Sequence, residues 1–365
     1  MHQATTRIWT SVDFQADGKQ DDFLRLPYSS DLSAYGSIPI PIICVKNGIG
    51  PTALLVAGSH GDEYEGQVAL LNLARKITPE EVRGRIIILP ALNFPAVAAG
   101  RRLSPLDEGN LNRLFPGNPV GTPTQMIAHY VCSVLLPFAD FVVDLHSGGR
   151  SLQYVPSVLV RPGRSETEHH QLVSLMKVFG APFGCVTAGA GGGGPTTLAA
   201  AAQEQNVLAL TTELGGGALL SPHALRLAEE GLLRLLKHFG IVPAALVEPA
   251  PSTRIMTVIG RDAYVYARSH GIFEPAADAG DRVNAGDLAG RVHSFERPGQ
   301  APETLYFASS GIIACRRALS FTAPGDCLFK VMEEPGDLPL HNLDYRAEAS
   351  CRTSPENTIC APSLP

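Results

Sequence analysis

The residues of this sequence best suited to chemistry are a histidine and a glutamate three positions apart, His60 and Glu63. They follow the apolar run 52–57, which predicts a buried strand, and they precede a helical pattern that begins near residue 65. Imidazole nitrogen and carboxylate oxygen are both ligands that Zn²⁺ binds at about 2.0–2.2 Å. Because sites in open α/β sheets are built where strands end, this turn predicts two ligands of a metal site.

His146 is the candidate for a third ligand. It stands at the end of a second apolar run, 141–145, which also predicts a strand leading into a turn. Two histidines and one glutamate from separate strand ends form the pattern of hydrolytic zinc sites, which keep a fourth position open for water. The sequence therefore predicts one Zn²⁺ per chain, held by His60, Glu63 and His146.

Glu213 is the best candidate for the acid–base group that such a site needs. It ends a third apolar run, 207–212, and glycines at 215–217 follow it, which lets a substrate approach the backbone closely. A hydrolase must take a proton from water and give one to the leaving amine, and a single carboxylate can do both. The alternative is a glutamate that only caps a helix or stabilises a turn.

The irregular segment 100–113 carries guanidinium and amide groups that suit a carboxylate substrate. Arginine binds carboxylates through two parallel hydrogen bonds, so Arg113 with Asn112 can hold a substrate carboxylate. Arg102 can polarise the scissile carbonyl and stabilise the negative charge that develops on its oxygen. The alternative is a solvated surface loop.

The elements that must position these residues alternate between strands and helices over the first two thirds of the chain. Apolar runs near 38–45, 52–57, 84–90, 141–144 and 207–212 predict strands, and helical patterns lie near 65–77, 123–136, 165–180, 196–204 and 221–239. Asn47 and Gly48 predict a hairpin turn. This alternation predicts an α/β fold with a mostly parallel or mixed sheet flanked by helices.

The pattern changes in the proline- and alanine-rich stretch 243–251. Short strand patterns with glycine turns follow it, and the last thirty residues show no periodicity. We predict a zinc-hydrolase catalytic domain over residues 1–245, a small all-β barrel-sandwich domain over 252–335 and a disordered tail over 336–365.

Composition excludes several classes of partner. The formal net charge is −6, and there is no basic block, so nucleic acid is not an expected partner. No apolar run approaches the roughly 18 residues of a membrane span, so no membrane association is expected. The seven cysteines show no paired spacing, which favours reduced thiols and a cytoplasmic location. Cys351 and Cys360, in the predicted tail, are left without a role, and a homo-oligomer stays open.

Four motifs in order resemble those of the succinylglutamate desuccinylase/aspartoacylase family, a branch with the zinc carboxypeptidase fold. They are GSHGDE (58–63), NLNR (110–113), DLHSGG (144–149) and TELGGG (212–217), and the resemblance covers about residues 30–335. It implies zinc ligands at His60, Glu63 and His146, and a general base at Glu213. It also implies oxyanion or substrate-carboxylate roles for Arg102, Asn112 and Arg113.

Two narrower resemblances refine the expectation. Residues 17–28 and 34–37 are similar to the branch of this family that deacetylates Nα-acetyl-L-2,4-diaminobutyrate in ectoine degradation. Residues 280–292 resemble the hammerhead of biotinyl and lipoyl carriers, without an attachment lysine, which implies the barrel-sandwich fold without a covalent cofactor.

The sequence thus predicts a zinc-dependent hydrolase of linear amide bonds that removes an acyl group from a small N-acyl amino acid. Acetyl on diaminobutyrate is the first expectation, and N-acetylaspartate or N-succinylglutamate types are the alternatives. A carboxypeptidase for short peptides and a non-enzymatic metal- or ligand-binding scaffold are the remaining alternatives.

Overall fold

The computed structural model describes residues 6–187, 194–243 and 247–335. The first ten strands are β1 (Gly18–Pro27), β2 (Ser37–Asn47), β3 (Thr52–Ala57), β4 (Gly84–Leu89), β5 (Phe141–Leu145), β6 (Leu152–Tyr154), β7 (Ser157–Val160), β8 (Phe183–Val186), β9 (Leu208–Glu213) and β10 (Arg254–Thr257). The α-helices of the described residues are α1 (Tyr64–Lys76), α2 (Phe94–Ala99), α3 (Pro123–Tyr130), α4 (Glu166–Phe179), α5 (Leu198–Glu204) and α6 (Pro222–His238). None of these helices is long and apolar enough to cross a membrane.

A nine-stranded mixed sheet forms the centre of the molecule, in the order β1-β2-β4-β3-β5-β9-β7-β8-β10. The neighbours β4, β3, β5 and β9 are parallel, while β1, β2 and β7 pair antiparallel with at least one neighbour. The predicted mixed sheet flanked by helices is confirmed. Because β3, β5 and β9 are parallel and adjacent, the turns that follow them open at the same edge of the sheet.

Both faces of this sheet are covered, as the alternation of side chains along each strand requires. In β3, Leu55 packs on one face with residues of α1, α4 and α6, whereas Leu54 and Val56 pack on the other with residues of α3 and α5. Every residue of β3 is buried. The strand that leads into the first candidate ligands is therefore held from both sides and cannot shift without disturbing two cores.

The hairpin predicted at Asn47 and Gly48 is wrong. β2 pairs antiparallel with β1 and with β4, and β4 lies between β2 and β3 in the sheet. β4 follows β3 through α1 and runs parallel to it, which requires a helical crossover rather than a tight turn. The hairpin in this region joins β1 to β2 instead.

The C-terminal region is built from two further antiparallel sheets. Its strands are β11 (Tyr264–Tyr266), β12 (Gly271–Pro275), β13 (Arg282–Val283), β14 (Leu288–His293), β15 (Glu303–Tyr306), β16 (Gly311–Arg317), β17 (Phe321–Thr322) and β18 (Cys327–Met332). One sheet has the order β11-β18-β16-β13, and the other has the order β15-β14-β12-β17.

Two strands connect this region with the large sheet. β10, although it lies after the proline-rich stretch, pairs parallel with β8 in the large sheet, and β6 of the N-terminal part pairs antiparallel with β16. The division into domains over 1–245 and 252–335 stays a prediction. The tail over 336–365, with Cys351 and Cys360, lies outside the described residues.

Candidate metal centre and active site

His60 and Glu63 lie in the short turn between β3 and α1, and this turn is held by backbone contacts. The Gly61 N–H donates to the Arg101 carbonyl at 2.8 Å. A Cβ on Gly61 would lie 1.9 Å from the Ala96 carbonyl oxygen of α2, so no side chain fits there. Both candidate ligands are buried, with about 3% exposure each. Packing of the turn against α2 therefore fixes their position.

The three candidate ligands meet around the Glu63 carboxylate. His60 Nδ1 lies 2.7 Å from Glu63 Oε1, and His146 Nδ1 lies 2.7 Å from Glu63 Oε2. One donor atom from each of the three lies within 4.8 Å of the others. His146 follows β5, the strand next to β3, which explains how it reaches the β3–α1 turn. Two imidazole nitrogens and a carboxylate converging in this way match the donors that Zn²⁺ prefers.

The far nitrogen of each imidazole ring has a hydrogen-bonding partner of its own. His60 Nε2 lies 3.0 Å from Asn110 Oδ1, and His146 Nε2 lies 2.9 Å from Asp144 Oδ2. Acceptors at Nε2 favour the proton on that nitrogen, which leaves each Nδ1 lone pair free for a metal. Asn110 and Asp144 belong to the sequence motifs, but sequence reasoning gave neither of them a role.

Burial and mutual charge determine the ionisation of this cluster. Burial alone would raise the pKa of Glu63, but the charges of His60 and His146 beside it lower that pKa well below its usual range. Burial lowers the pKa of His60 and favours the neutral ring. Burial acts in the same direction on His146, but Asp144 and Glu63 outweigh it and raise its pKa. The cluster is thus a buried, negatively charged carboxylate between two histidine side chains. A bound metal cation would supply the positive charge beside that carboxylate.

Glu213 ends β9 and faces the same cavity. Its Oε2 is shielded from solvent and has no hydrogen-bond partner among the described residues. Burial, followed by the negative charge of Glu63, raises its pKa to about 8. A carboxylate whose pKa lies near neutrality can both accept and release a proton during a reaction. The structure therefore places a shielded carboxylate oxygen, without a hydrogen-bond partner among the described residues, in the same cavity as the three candidate ligands.

The same cavity is lined by Arg102, Asn112 and Arg113, which differ in exposure and in their hydrogen bonds. Arg102 Nη1 lies 3.3 Å from Glu63 Oε1, and its side chain is 42% exposed, so it can move toward a ligand. Asn112 is buried; its Oδ1 accepts the Leu198 N–H at 2.9 Å, and its Nδ2 lies 2.9 Å from His146 Nε2. Arg113 donates through Nη1 to the Asn112 carbonyl at 2.7 Å. Asn112 Oδ1 is therefore engaged within the protein, whereas both guanidinium groups keep donors without a partner among the described residues.

All seven residues singled out from the sequence line one cavity of about 370 Å³. The individual roles of His60, Glu63, Arg102, Asn112, Arg113, His146 and Glu213 stay predictions. Among the further residues of its wall that sequence reasoning missed are Tyr154 of β6 and Lys330 of β18. The one available signal for Lys330 was a lysine inside the otherwise apolar run 327–332.

A comparison with family models finds a match over residues 49–239 to the succinylglutamate desuccinylase/aspartoacylase catalytic domain. This segment contains all seven residues. Among characterised proteins, the N-alpha-acetyl-L-2,4-diaminobutyric acid deacetylase of Halomonas elongata is 39% identical over 331 residues, which cover 91% of this chain and 96% of that protein.

Solved structures give a similar result. The product-bound ectoine utilization protein EutE (DoeB) from Ruegeria pomeroyi superposes with a TM-score of 0.86 at 39% identity, covering 91% of this chain and 100% of that one. A succinylglutamate desuccinylase/aspartoacylase from Rhodobacter sphaeroides reaches a TM-score of 0.85 at 39% identity and covers 90% of this chain and 100% of that one. The similarity therefore includes the C-terminal sheets as well as the segment that carries the motifs.

Proposed function

The chain belongs to the succinylglutamate desuccinylase/aspartoacylase family, and we propose that it is a zinc-dependent amidohydrolase acting on Nα-acetyl-L-2,4-diaminobutyrate. The reaction adds water across the acetyl–nitrogen bond and gives acetate and 2,4-diaminobutyrate. The similarity to the Halomonas elongata deacetylase over nearly its whole length supports the choice of substrate. N-acyl amino acids of the aspartate or glutamate type are the alternatives.

The donor set fits zinc. Two neutral imidazoles would present Nδ1 and the Glu63 carboxylate would present its oxygens, in a buried pocket with Asn110 and Asp144 behind the rings. A zinc ion held there would polarise the scissile carbonyl and lower the pKa of water. Hydrolytic zinc sites use three converging protein donors, so the three residues here support zinc more strongly than one histidine and one carboxylate would.

The proposed mechanism assigns the proton transfers to Glu213. Its Oε2 takes a proton from the attacking water and then delivers it to the leaving amine nitrogen, so the glutamate ends in the state in which it began. Arg102, whose side chain is partly exposed and lies beside Glu63, stabilises the charge on the carbonyl oxygen. Arg113 and Asn112 are proposed to bind and orient the substrate, with the guanidinium of Arg113 as the group that contacts it.

The position of Glu213 is the observation that carries this proposal. A buried carboxylate oxygen without a hydrogen-bond partner among the described residues costs free energy, and a protein that only bound a metal would not need it there. It lies in the same cavity as the three candidate metal ligands, where a general base must lie. A purely metal-binding scaffold is therefore disfavoured.

The test measures amine release by zinc-loaded protein, with a chelator-treated sample as control. The substrates are Nα-acetyl-L-2,4-diaminobutyrate, N-acetylaspartate, N-succinylglutamate and a panel of short peptides. Chelator-sensitive turnover of the first substrate supports the proposal. Turnover of another N-acyl amino acid alone would mean that this other compound is the substrate. Absence of turnover on every N-acyl amino acid, with zinc bound, contradicts it. A cytoplasmic location is part of the proposal and is tested by cell fractionation.

A further inference from the structure

Lys330 is a charged residue in an unusual place, on strand β18 of the C-terminal region. It is only 9% exposed, and its neighbours Phe329 and Val331 are buried among apolar side chains. Alternation along the strand places it on the side of Met332, which packs with Cys185 and Met256 of the large sheet. Lys330 therefore points from the C-terminal sheet toward the large sheet.

The cavity of the candidate active site extends to Lys330. Lys330 lines it together with Tyr154, Leu159 and Glu213, and its Nζ lies 5.9 Å from the centre of the Tyr154 ring. An ammonium group over an aromatic ring gains part of the stabilisation lost by leaving water. Lys330 is thus a charged residue in a part of the cavity wall that also contains apolar side chains. This part of the wall is formed where β6 and β18 each pair with β16.

Within the part of the chain that the structure describes, Lys330 has no anionic partner in ion-pair contact. No carboxylate of the described residues lies within ion-pair distance of its Nζ, although Glu213 lines the same cavity. A buried ammonium without a paired anion is costly, so proteins retain such groups where a ligand supplies the charge. Tyr264, Cys185, Cys315 and Glu213 act on the ammonium group electrostatically, in that order, but no carboxylate of the described residues forms an ion pair with it.

We propose that Lys330 is a substrate-binding residue whose ammonium group binds the carboxylate of the N-acyl amino acid inside the cavity. This inference rests on the proposed function for its substrate class. Every N-acyl amino acid retains at least one carboxylate that does not react, and a charge-assisted hydrogen bond to it selects and orients the substrate. Arg113 contributes a second cation to the same cavity, so the two cations together determine how tightly the carboxylate is bound.

The proposal predicts a selective effect of Lys330→Met, which keeps the length of the side chain and removes its charge. We compare Nα-acetyl-L-2,4-diaminobutyrate with its carboxamide, which lacks the carboxylate charge. Loss of a charged hydrogen bond predicts an increase in KM for the carboxylate of about tenfold to hundredfold, with little change for the carboxamide. Arg113→Met removes the other cation of the cavity and is the matched variant for comparison. Lys330→Arg keeps the charge and is expected to retain part of the preference for the carboxylate over the carboxamide.

Calorimetric binding of the same two compounds to metal-free protein gives a readout that needs no turnover. Wild-type protein is expected to prefer the carboxylate over the carboxamide, and Lys330→Met is expected to lose that preference. This measurement separates the two proposals, because wild-type protein that binds the carboxylate without hydrolysing it contradicts only the proposed function.

Three results overturn the role of Lys330. The first is an equal loss for carboxylate and carboxamide, which would mean that Lys330 acts through Glu213. The second is selectivity that disappears in Arg113→Met but persists in Lys330→Met. The third is a clear fall in the melting temperature of Lys330→Met, since removal of an unpaired buried charge should leave the fold at least as stable.

Discussion

Asp144 Oδ2 lies 2.9 Å from His146 Nε2, on the side of the ring opposite the nitrogen that faces Glu63. Asp144 is held in turn by Ser59, whose hydroxyl donates to Asp144 Oδ1 at 3.3 Å. This contact fixes both the orientation of the imidazole and the position of its proton. Ser59, which directly precedes His60 in the turn after β3, thereby supports the ligand that follows β5.

Asp144→Asn is expected to weaken zinc binding by roughly tenfold to hundredfold, because the imidazole loses the carboxylate that orients it and raises its basicity. Competition with a chromogenic chelator measures the dissociation constant. Asp31→Asn, at an exposed turn, is the matched control and should bind zinc as wild-type protein does. An unchanged dissociation constant for Asp144→Asn would show that its contact with His146 is dispensable.

Gly61→Ala tests whether packing against α2 holds the ligand turn. The added methyl would meet the Ala96 carbonyl at 1.9 Å, and since that atom is backbone, either the turn or α2 must move. We expect a fall in the free energy of unfolding of at least about 1–3 kcal/mol, together with weaker zinc binding. Urea unfolding measures the free energy of unfolding. Gly299→Ala, where a Cβ would meet nothing within 4 Å, should leave both quantities unchanged.

Glu213→Gln removes the proposed general base and keeps the shape of the side chain. Turnover is expected to fall by at least about 10²–10⁴-fold, while zinc content stays stoichiometric, because Glu213 is not among the three converging donors. Rate measurements paired with metal analysis of the same sample check this. A variant that keeps wild-type turnover would exclude Glu213 from the mechanism.

The same variant should change how the stability of the metal-free protein depends on pH. Burial raises the pKa of Glu213 to about 8, whereas a glutamate in the unfolded chain has a pKa of about 4.3. Between these values the folded protein holds a proton that the unfolded chain releases. The contribution of this group to stability is therefore complete below the lower pKa and is lost as pH rises through the upper one.

Glu213→Gln lacks this titration, so its advantage in free energy of unfolding over wild-type protein should grow from pH 5 to pH 8. The slope is at most about 1.4 kcal/mol per pH unit for one proton. Urea unfolding of both proteins at several pH values gives the difference. Glu204→Gln, at an exposed position on α5, serves as the control and should give a difference that does not vary with pH. A flat difference for Glu213→Gln would contradict the raised pKa.

The buried cysteines are expected to resist alkylation in the folded protein. Burial raises the pKa of Cys44 to about 11 and that of Cys132 to about 12, and the thiolate is the reactive form. Treatment with iodoacetamide at neutral pH, followed by peptide mass spectrometry, should leave both unmodified. The same treatment in denaturant should modify both, and rapid labelling of Cys132 in the folded state would show that its site opens.

Much of the site could be predicted from sequence because its signals are local. His60 and Glu63 are three residues apart in one turn, and His146 and Glu213 each follow an apolar run, so strand ends alone predicted where they would lie. The parallel order of β3, β5 and β9 then brings these ends together. The short strand patterns of the C-terminal region were equally local, and the structure has antiparallel sheets there.

Other features depend on which elements become neighbours, and an alternating pattern defines the face of a strand without defining its partner. The position of β4 between β2 and β3, and the pairing of β6 with β16, are results of tertiary packing. So is the hydrogen bond from the Leu198 N–H to Asn112 Oδ1, which a motif cannot reveal.

Lys330 is the clearest case. Its strand carries a weak signal, one charged residue in an apolar run, and only the packing of β18 against the large sheet brings its ammonium group into the cavity of Glu213. The sequence by itself thus determined the family, the candidate metal ligands and the candidate base, because these follow from residue types at short spacing. The tertiary structure decided which distant side chains complete the cavity, because such contacts depend on strand order and packing between sheets.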